Sequence, residues 1–238
     1  IGGGSDSNGD YATVSLTPVE VQQVAEYVGD KLGERYEDIF RIHHEAFPRP
    51  QTMHNWTPRM EVKHVDVDGR SLAFVETSVF ENKQHKHYNK LLLDPKAINS
   101  FQKYIGKKIV EIPFRDFITE YSSVLRNAYL NIGKIVEGQK YAKGNEGWLW
   151  SNKPIYSIRH SAAVQWINRT NFDVNLVATM GWEKTDTLTK YYARISTNNI
   201  MQKGICYYCS PPSITGSQPV FCSAPHSLAY IHGMRRNN

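Results

Sequence analysis

Residues 60–78, MEVKHVDVDGRSLAFVETS, alternate apolar and polar side chains with a period of two. No helix can hold such a pattern on one face, so it locates a sheet. Asp68-Gly69 stands at its centre, the dipeptide that best closes a tight hairpin. After the polar run FENKQHK (80–86), the segment HYNKLLLD (87–94) predicts a third strand. On both sides the apolar spacing is helical. Thr17-Pro18-Val19-Glu20 reads as a helix start, with a threonine cap, proline in the first turn and a glutamate that can reach back. Val21, Val24, Ala25 and Val28 then share one helical face. A second helix is expected from about Glu34 into Ile42, and the proline-rich stretch 44–59 reads as a loop. Beyond Pro95 come AINSFQKYI, FRDFITEYSSVLRNAYL, SAAVQWINR, NLVATMG and TLTKYYARI, all at helical spacing. The fold class expected is therefore α+β: a mainly helical domain with a small three-stranded antiparallel sheet.

The chain has 238 residues, enough for a sizeable core. No apolar run approaches the roughly 18 residues that span a bilayer, so no membrane is expected. With 28 basic against 23 acidic residues the formal charge is +5, a balance that favours polyanionic partners, nucleic acid first. Three cysteines make an odd number, which argues against a disulfide framework and for an intracellular setting, nucleus or cytoplasm. Residues 1–14, with their glycines and serines, read as a linker or processing remnant, and the chain as a fragment of something longer.

The residues that point to chemistry lie in the C-terminal third. In YSIRHSAAVQWINR (156–169), Arg159 is expected at the start of a helix, where free N–H groups and the helix dipole favour an anion. Its planar fork suits two phosphate oxygens. His160 follows it. Gly181-Trp182 comes some twenty residues later, and Tyr191-Tyr192 follow nine and ten residues after the tryptophan.

This pattern resembles the tyrosine recombinase, or phage integrase, family. IRHSAAVQWINR is similar to the helix that opens with the family's second arginine, and TMGWEKTDTLTKYYARI to its Gly-His/Trp segment ending in the nucleophilic tyrosine. Upstream, SLTPVEVQQVA resembles the opening helix of the catalytic domain, and GERYEDI the box holding the first catalytic arginine. The resemblance covers roughly residues 15–196 and implies a DNA breaking-rejoining enzyme. Tyr191, favoured over Tyr192 by spacing, would attack a phosphodiester. Arg159 and Arg35 would hold its oxygens, Arg41, Arg49 and Arg59 being rivals of Arg35. Lys83 or Lys86, in the loop before the third strand, would protonate the leaving oxygen, and Trp182 would pack on or bond to the phosphate. Where the family has His or Lys, three residues before the second arginine, this chain has Tyr156. A tyrosine there can donate or accept a hydrogen bond but lacks the readiness of imidazole to exchange protons near neutral pH. His160 is more often structural in the family. The resemblance also implies double-stranded DNA as partner, a homo-tetramer on it, and neither a small-molecule substrate nor a catalytic cofactor.

Residues 197–238 form a tail outside this pattern. Cys206, Cys209, Cys222 and His226, with His232 as an alternate, have spacings that suit a structural zinc. The rival readings are a type IB topoisomerase or telomere resolvase of the same chemistry, a DNA-binding architectural protein without catalysis, and a zinc-stabilised interaction module.

Overall fold

The computed structural model describes residues 14–59, 65–67, 70–77, 87–143, 145–170, 173–182 and 185–191. In chain order they form α1 (Pro18–Leu32), α2 (Glu34–Ala46), α3 (Pro50–Asn55), β1 (Val65–Val67), β2 (Arg70–Thr77) and β3 (Tyr88–Leu92). Then follow α4 (Pro95–Lys103), α5 (Phe114–Asn131), α6 (Glu146–Asn152), α7 (Pro154–Arg169), α8 (Val174–Thr179) and α9 (Thr185–Tyr191). The architecture is α+β, mainly helical with a small antiparallel sheet.

The opening helix starts as its sequence expects. Thr17 Oγ1 accepts from the Glu20 N–H and the Glu20 carboxylate accepts from the Thr17 N–H, a reciprocal cap with Pro18 in the first turn. Stretch 44–59, expected as a loop, is instead partly helical. Helix α2 runs on to Ala46, and Pro50 opens the short α3; proline costs nothing in a first turn, where its missing N–H would have no partner. Helix α6 was not anticipated.

In the sheet, β2 pairs antiparallel with β3, Val75 standing opposite Lys90, and β1 pairs with the start of β2, Val67 opposite Arg70. Ala73, Val75 and Thr77 of β2 and Tyr88, Lys90 and Leu92 of β3 are buried, while Phe74, Glu76 and Asn89 are exposed. Inward positions of a strand normally take apolar side chains, so a lysine at the middle of β3 stands out.

Two clusters of buried apolar side chains hold the helices together, and α7 belongs to both. Its first turns give Ile155 and Ile158 to the larger core, which is built on α1, α2, α4 and α5 with Trp56, Phe101, Tyr121, Tyr129 and Trp150. Its later turns give Ala162, Ala163, Val164, Trp166 and Ile167 to a smaller core with Phe47, Val177, Met180 and Leu188. A helix buried on both sides shows little polar stripe, and α7 buries Ser157, Arg159 and Ser161 together with its apolar side chains. Buried Glu45 ties three elements together: it accepts from the backbone N–H of Leu93 and Asp94, just past β3, and from Arg169 at the end of α7.

Candidate functional site

The site gathers where the end of α2, strand β3, helix α7 and the turn after α8 meet. Arg159 is 9% exposed and lies in the second turn of α7, which opens at Pro154 and not at Arg159 as expected. The free N–H groups of the first turn are therefore not beside it. Its side chain reaches two backbone carbonyls. Nη1 donates to the Phe47 oxygen and Nη2 to the Gly181 oxygen at 3.0 Å. Its guanidinium also lies 4.2 Å from the centroid of the Trp182 ring, inside the range of a cation–π contact.

Lys90 approaches from the sheet. It is 3% exposed, and its Nζ donates to the carbonyl of Met180, the residue just before the one Arg159 holds. The Phe47 ring centroid is 4.2 Å from this amine and 5.0 Å from the Trp182 ring. Burial, and after it the charge of Arg159, pushes the Lys90 amine well below the ordinary lysine range, because a desolvated ammonium beside another cation is doubly disfavoured. Two backbone features permit this convergence. Phe47 closes α2 in the left-handed region, φ 39° and ψ 44°. That conformation strains a bulky side chain, and it persists because the ring is locked in the smaller core and the carbonyl is held by Arg159. Gly181 has no room for a side chain: a Cβ there would come within 2.6 Å of Lys90 Nζ and 3.2 Å of the Phe47 ring.

Between these groups opens a small cleft lined by Arg49, Thr52, Thr77, Tyr88, Lys90, Arg159 and Gly181. Its volume is about 10 Å³, the room of one water molecule or one oxygen of a larger anion. Arg49 enters it from the N-cap of α3, held extended between Pro48 and Pro50. Tyr88 Oη is buried with no hydrogen-bond partner among the described residues. Three basic side chains therefore face one cleft, and no carboxylate is among its described lining residues. Such a wall attracts an anion that can accept several hydrogen bonds at once, and a phosphate diester fits that description.

The other residues singled out from the sequence are placed as follows. Arg35 does not line the cleft. It lies twelve residues before Phe47 on α2, about 18 Å along the axis at the helical rise. There it donates to the carbonyls of Lys108 and Ile109 and pairs with Glu111 at 2.6 Å, tying α2 to the 108–111 loop. Arg41 is buried and bonded to Glu37 and Gln22. Arg59 is exposed and bridges to Glu76 through the backbone. Of the four arginines weighed for the first position, Arg49 is the one beside Arg159. Tyr156 is 47% exposed, one helical turn before Arg159, with Lys153 near its ring. His160 is half-buried, and desolvation, with the charge of Arg159 second, lowers its pKa to about 4. Tyr191 is the last residue of α9, which packs on α8 and buries Leu188 in the smaller core. Lys83, Lys86 and Tyr192 lie outside the described residues, as do Cys206, Cys209, Cys222, His226 and His232.

Sequence reasoning passed over Lys90, Phe47 and Tyr88. The signal for Lys90 was present: in Tyr88-Asn89-Lys90-Leu91-Leu92 the period of two puts the lysine on the same side as Tyr88 and Leu92. No local signal marks Phe47, whose carbonyl and ring matter only through residues more than forty positions away. Neither a family model, nor a curated protein, nor a solved structure matches the chain.

Proposed function

We propose that this chain is the catalytic domain of a DNA tyrosine recombinase, cleaving and rejoining strands through a 3′-phosphotyrosyl intermediate. The observation that carries the reading is the convergence of Arg49, Lys90 and Arg159 on one cleft. Gly181 lines that cleft, Trp182 lies against Arg159, and the helix that leads to Tyr191 begins four residues after Gly181.

In this reading Arg159 and Arg49 donate to the non-bridging oxygens of the scissile phosphate and offset the charge that grows as the phosphorus becomes five-coordinate. Arg49 takes the part that the sequence pattern suggested for Arg35. The Tyr191 oxygen attacks phosphorus as its proton passes to solvent water, and the P–O5′ bond breaks. The tyrosyl ester keeps the phosphate, and the 5′-oxygen leaves with a proton supplied by Lys83 or Lys86, which precede β3 in the sequence. A phenol, with a pKa of about 10, needs this charged setting to react at neutral pH. Trp182 stacks on Arg159 and packs beside the phosphate. Rejoining reverses the step, so no metal or nucleotide cofactor takes part; the candidate zinc ligands would serve structure only. The partner is double-stranded DNA, with a homo-tetramer holding the exchanging strands. A topoisomerase or a telomere resolvase would share all of this and differ in the topology of the product.

The test uses a duplex pool nicked near the cleavage point, so that the short 5′-hydroxyl fragment diffuses away and the adduct accumulates. A protein–DNA band on a denaturing gel is expected, and trypsin should release it as Tyr191-Tyr192-Ala193-Arg194 carrying the nucleotide, with fragmentation assigning the phosphate to Tyr191. In the same assay Arg49→Ala is expected to slow adduct formation about 100-fold, and to flatten the salt dependence of binding by about one phosphate contact. Arg35→Ala should stay within about threefold of wild type, since its bonds serve α2 and the 108–111 loop. DNA bound tightly with no adduct on any substrate would overturn the enzyme and favour an architectural protein, the reading that Tyr156 in the histidine position supports.

A further inference from the structure

A buried lysine in the middle of a strand is expensive, because the amine must be desolvated and then given a partner. At the position of Lys90 an apolar side chain would pack against Phe47 and Val75 without that cost. What Lys90 does with its amine is specific: it donates to the Met180 carbonyl, while Arg159 donates to the next carbonyl, that of Gly181, at 3.0 Å. Two consecutive peptide oxygens are thus held, one from strand β3 and one from α7. The Phe47 ring lies near both groups, 4.2 Å from Lys90 Nζ and 6.0 Å from the Arg159 guanidinium. The absent side chain of Gly181 leaves the space that the amine occupies.

The held segment is the connection to α9. That helix has seven residues, too few to be stable alone, and its buried anchor in the smaller core is Leu188. Its placement therefore depends strongly on how the preceding turn is fixed. We propose that Lys90 is a positioning residue: it clamps the Met180–Gly181 turn to the sheet and thereby sets where α9 and its tyrosine stand relative to Arg159. This rests on the recombinase reading only in taking Tyr191 as the group to be placed. The Lys90 amine donates to a carbonyl, and burial disfavours its charged form.

The test separates a clamp from a proton donor. Lys90→Met keeps the length and apolar stem and removes the donor. It should fold, yet form adduct about 100-fold more slowly, the cost of a misplaced reacting group. Lys90→Gln, which keeps an N–H, should recover to within about tenfold of wild type. A substrate with sulfur in place of the bridging 5′-oxygen needs no proton on its leaving group. It should not rescue Lys90→Met, and a rescue would make Lys90 the acid and overturn the clamp. Hydrogen exchange gives a readout independent of activity: amides of 185–191 should exchange about tenfold faster in Lys90→Met while α1 and α5 stay unchanged. Gly181→Ala, whose methyl would meet Nζ at 2.6 Å, should reproduce that increase and stands in if Lys90→Met does not fold. Unchanged exchange at 185–191 in the folded variant overturns the clamp. If wild type forms no adduct on any DNA the recombinase reading falls, and the exchange measurement alone then decides the role of Lys90.

Discussion

Arg159→Ala is expected to lower the rate of tyrosyl–DNA adduct formation by about 1,000-fold or more, as the loss of a cation held against a transferring phosphoryl group does elsewhere. The same substitution should also destabilise the fold, because Arg159 is bonded into it. Removing the guanidinium strands the carbonyls of Phe47 and Gly181 in a buried place, at about 1–3 kcal/mol for each unpaired group. Trp182 also loses its cationic neighbour. The two effects part company in Arg159→Lys. A lysine keeps the charge but offers a single ammonium in place of a planar fork, so it cannot span Phe47, Gly181 and a phosphate together. That variant should fold, bind duplex with nearly the wild-type salt slope, and still cleave about 100-fold more slowly. Single-turnover adduct formation, measured beside thermal melts, checks both. Wild-type rates in a folded Arg159→Ala protein would remove the cleft from the chemistry.

Acid is expected to unfold this protein through two histidines at the end of α2. Burial lowers both His43 and His44 to a pKa of about 3, against about 6.5 in the unfolded chain. The hydrogen bonds show why the charged forms are excluded. The Leu16 N–H donates to Ser161 Oγ at 2.9 Å, and that hydroxyl lies 3.2 Å from His44 Nε2. The hydroxyl therefore has its proton to give, and a neutral His44 accepts it. His43 Nε2 faces the Pro48 carbonyl at 3.1 Å, while its Nδ1 is buried with no partner among the described residues. A proton there would have nothing to bond. For groups whose folded pKa is depressed in this sense, both states are neutral above the unfolded value and stability is complete. As pH falls below about 6.5 the unfolded chain binds protons that the native state refuses, and stability drops toward pH 3. At pH 5.5 each histidine is expected to have removed about 1.4 kcal/mol, so about 3 kcal/mol for the pair, a large part of an ordinary domain's 5–15 kcal/mol. Half-buried His160 adds to the slope in the same direction. Denaturant midpoints at pH 7.5 and 5.5 measure this. His44→Gln should reduce the drop, whereas a flat profile between those pH values would show that neither ring is held neutral.

Much of the scaffold could be read from local pattern, because local geometry caused it. The capping residues around Thr17, the alternation from Ala73 to Thr77 and the long helical run from Phe114 state their own structure through hydrogen bonds and periodicity within a few residues. The extension of α2 to Ala46 and the short α3 were hidden by prolines, which read as breaks in sequence although Pro50 merely opens a helix. Arg159, Gly181 and Trp182 could be singled out, since the first precedes a histidine and the other two follow at a set spacing, although α7 opens five residues before Arg159.

The choice among the arginines was not legible. Arg35 carries the better local resemblance, yet α2 is a rigid rod that places it about 18 Å from Phe47, while Arg49, two residues past Phe47, lands in the cleft. Lys90 could be assigned an inward direction from its alternation, but not a purpose. The sequence by itself determined most of the helices and the alternation of the strands, because these depend on neighbours along the chain, and it marked Arg159, Gly181 and Trp182. Only the tertiary structure decided that Arg49 and Lys90 join Arg159 and that Phe47 stands among them. Their partners are carbonyls and rings tens of residues away, at Met180 and Gly181, brought close by a core that α7 shares on both its sides.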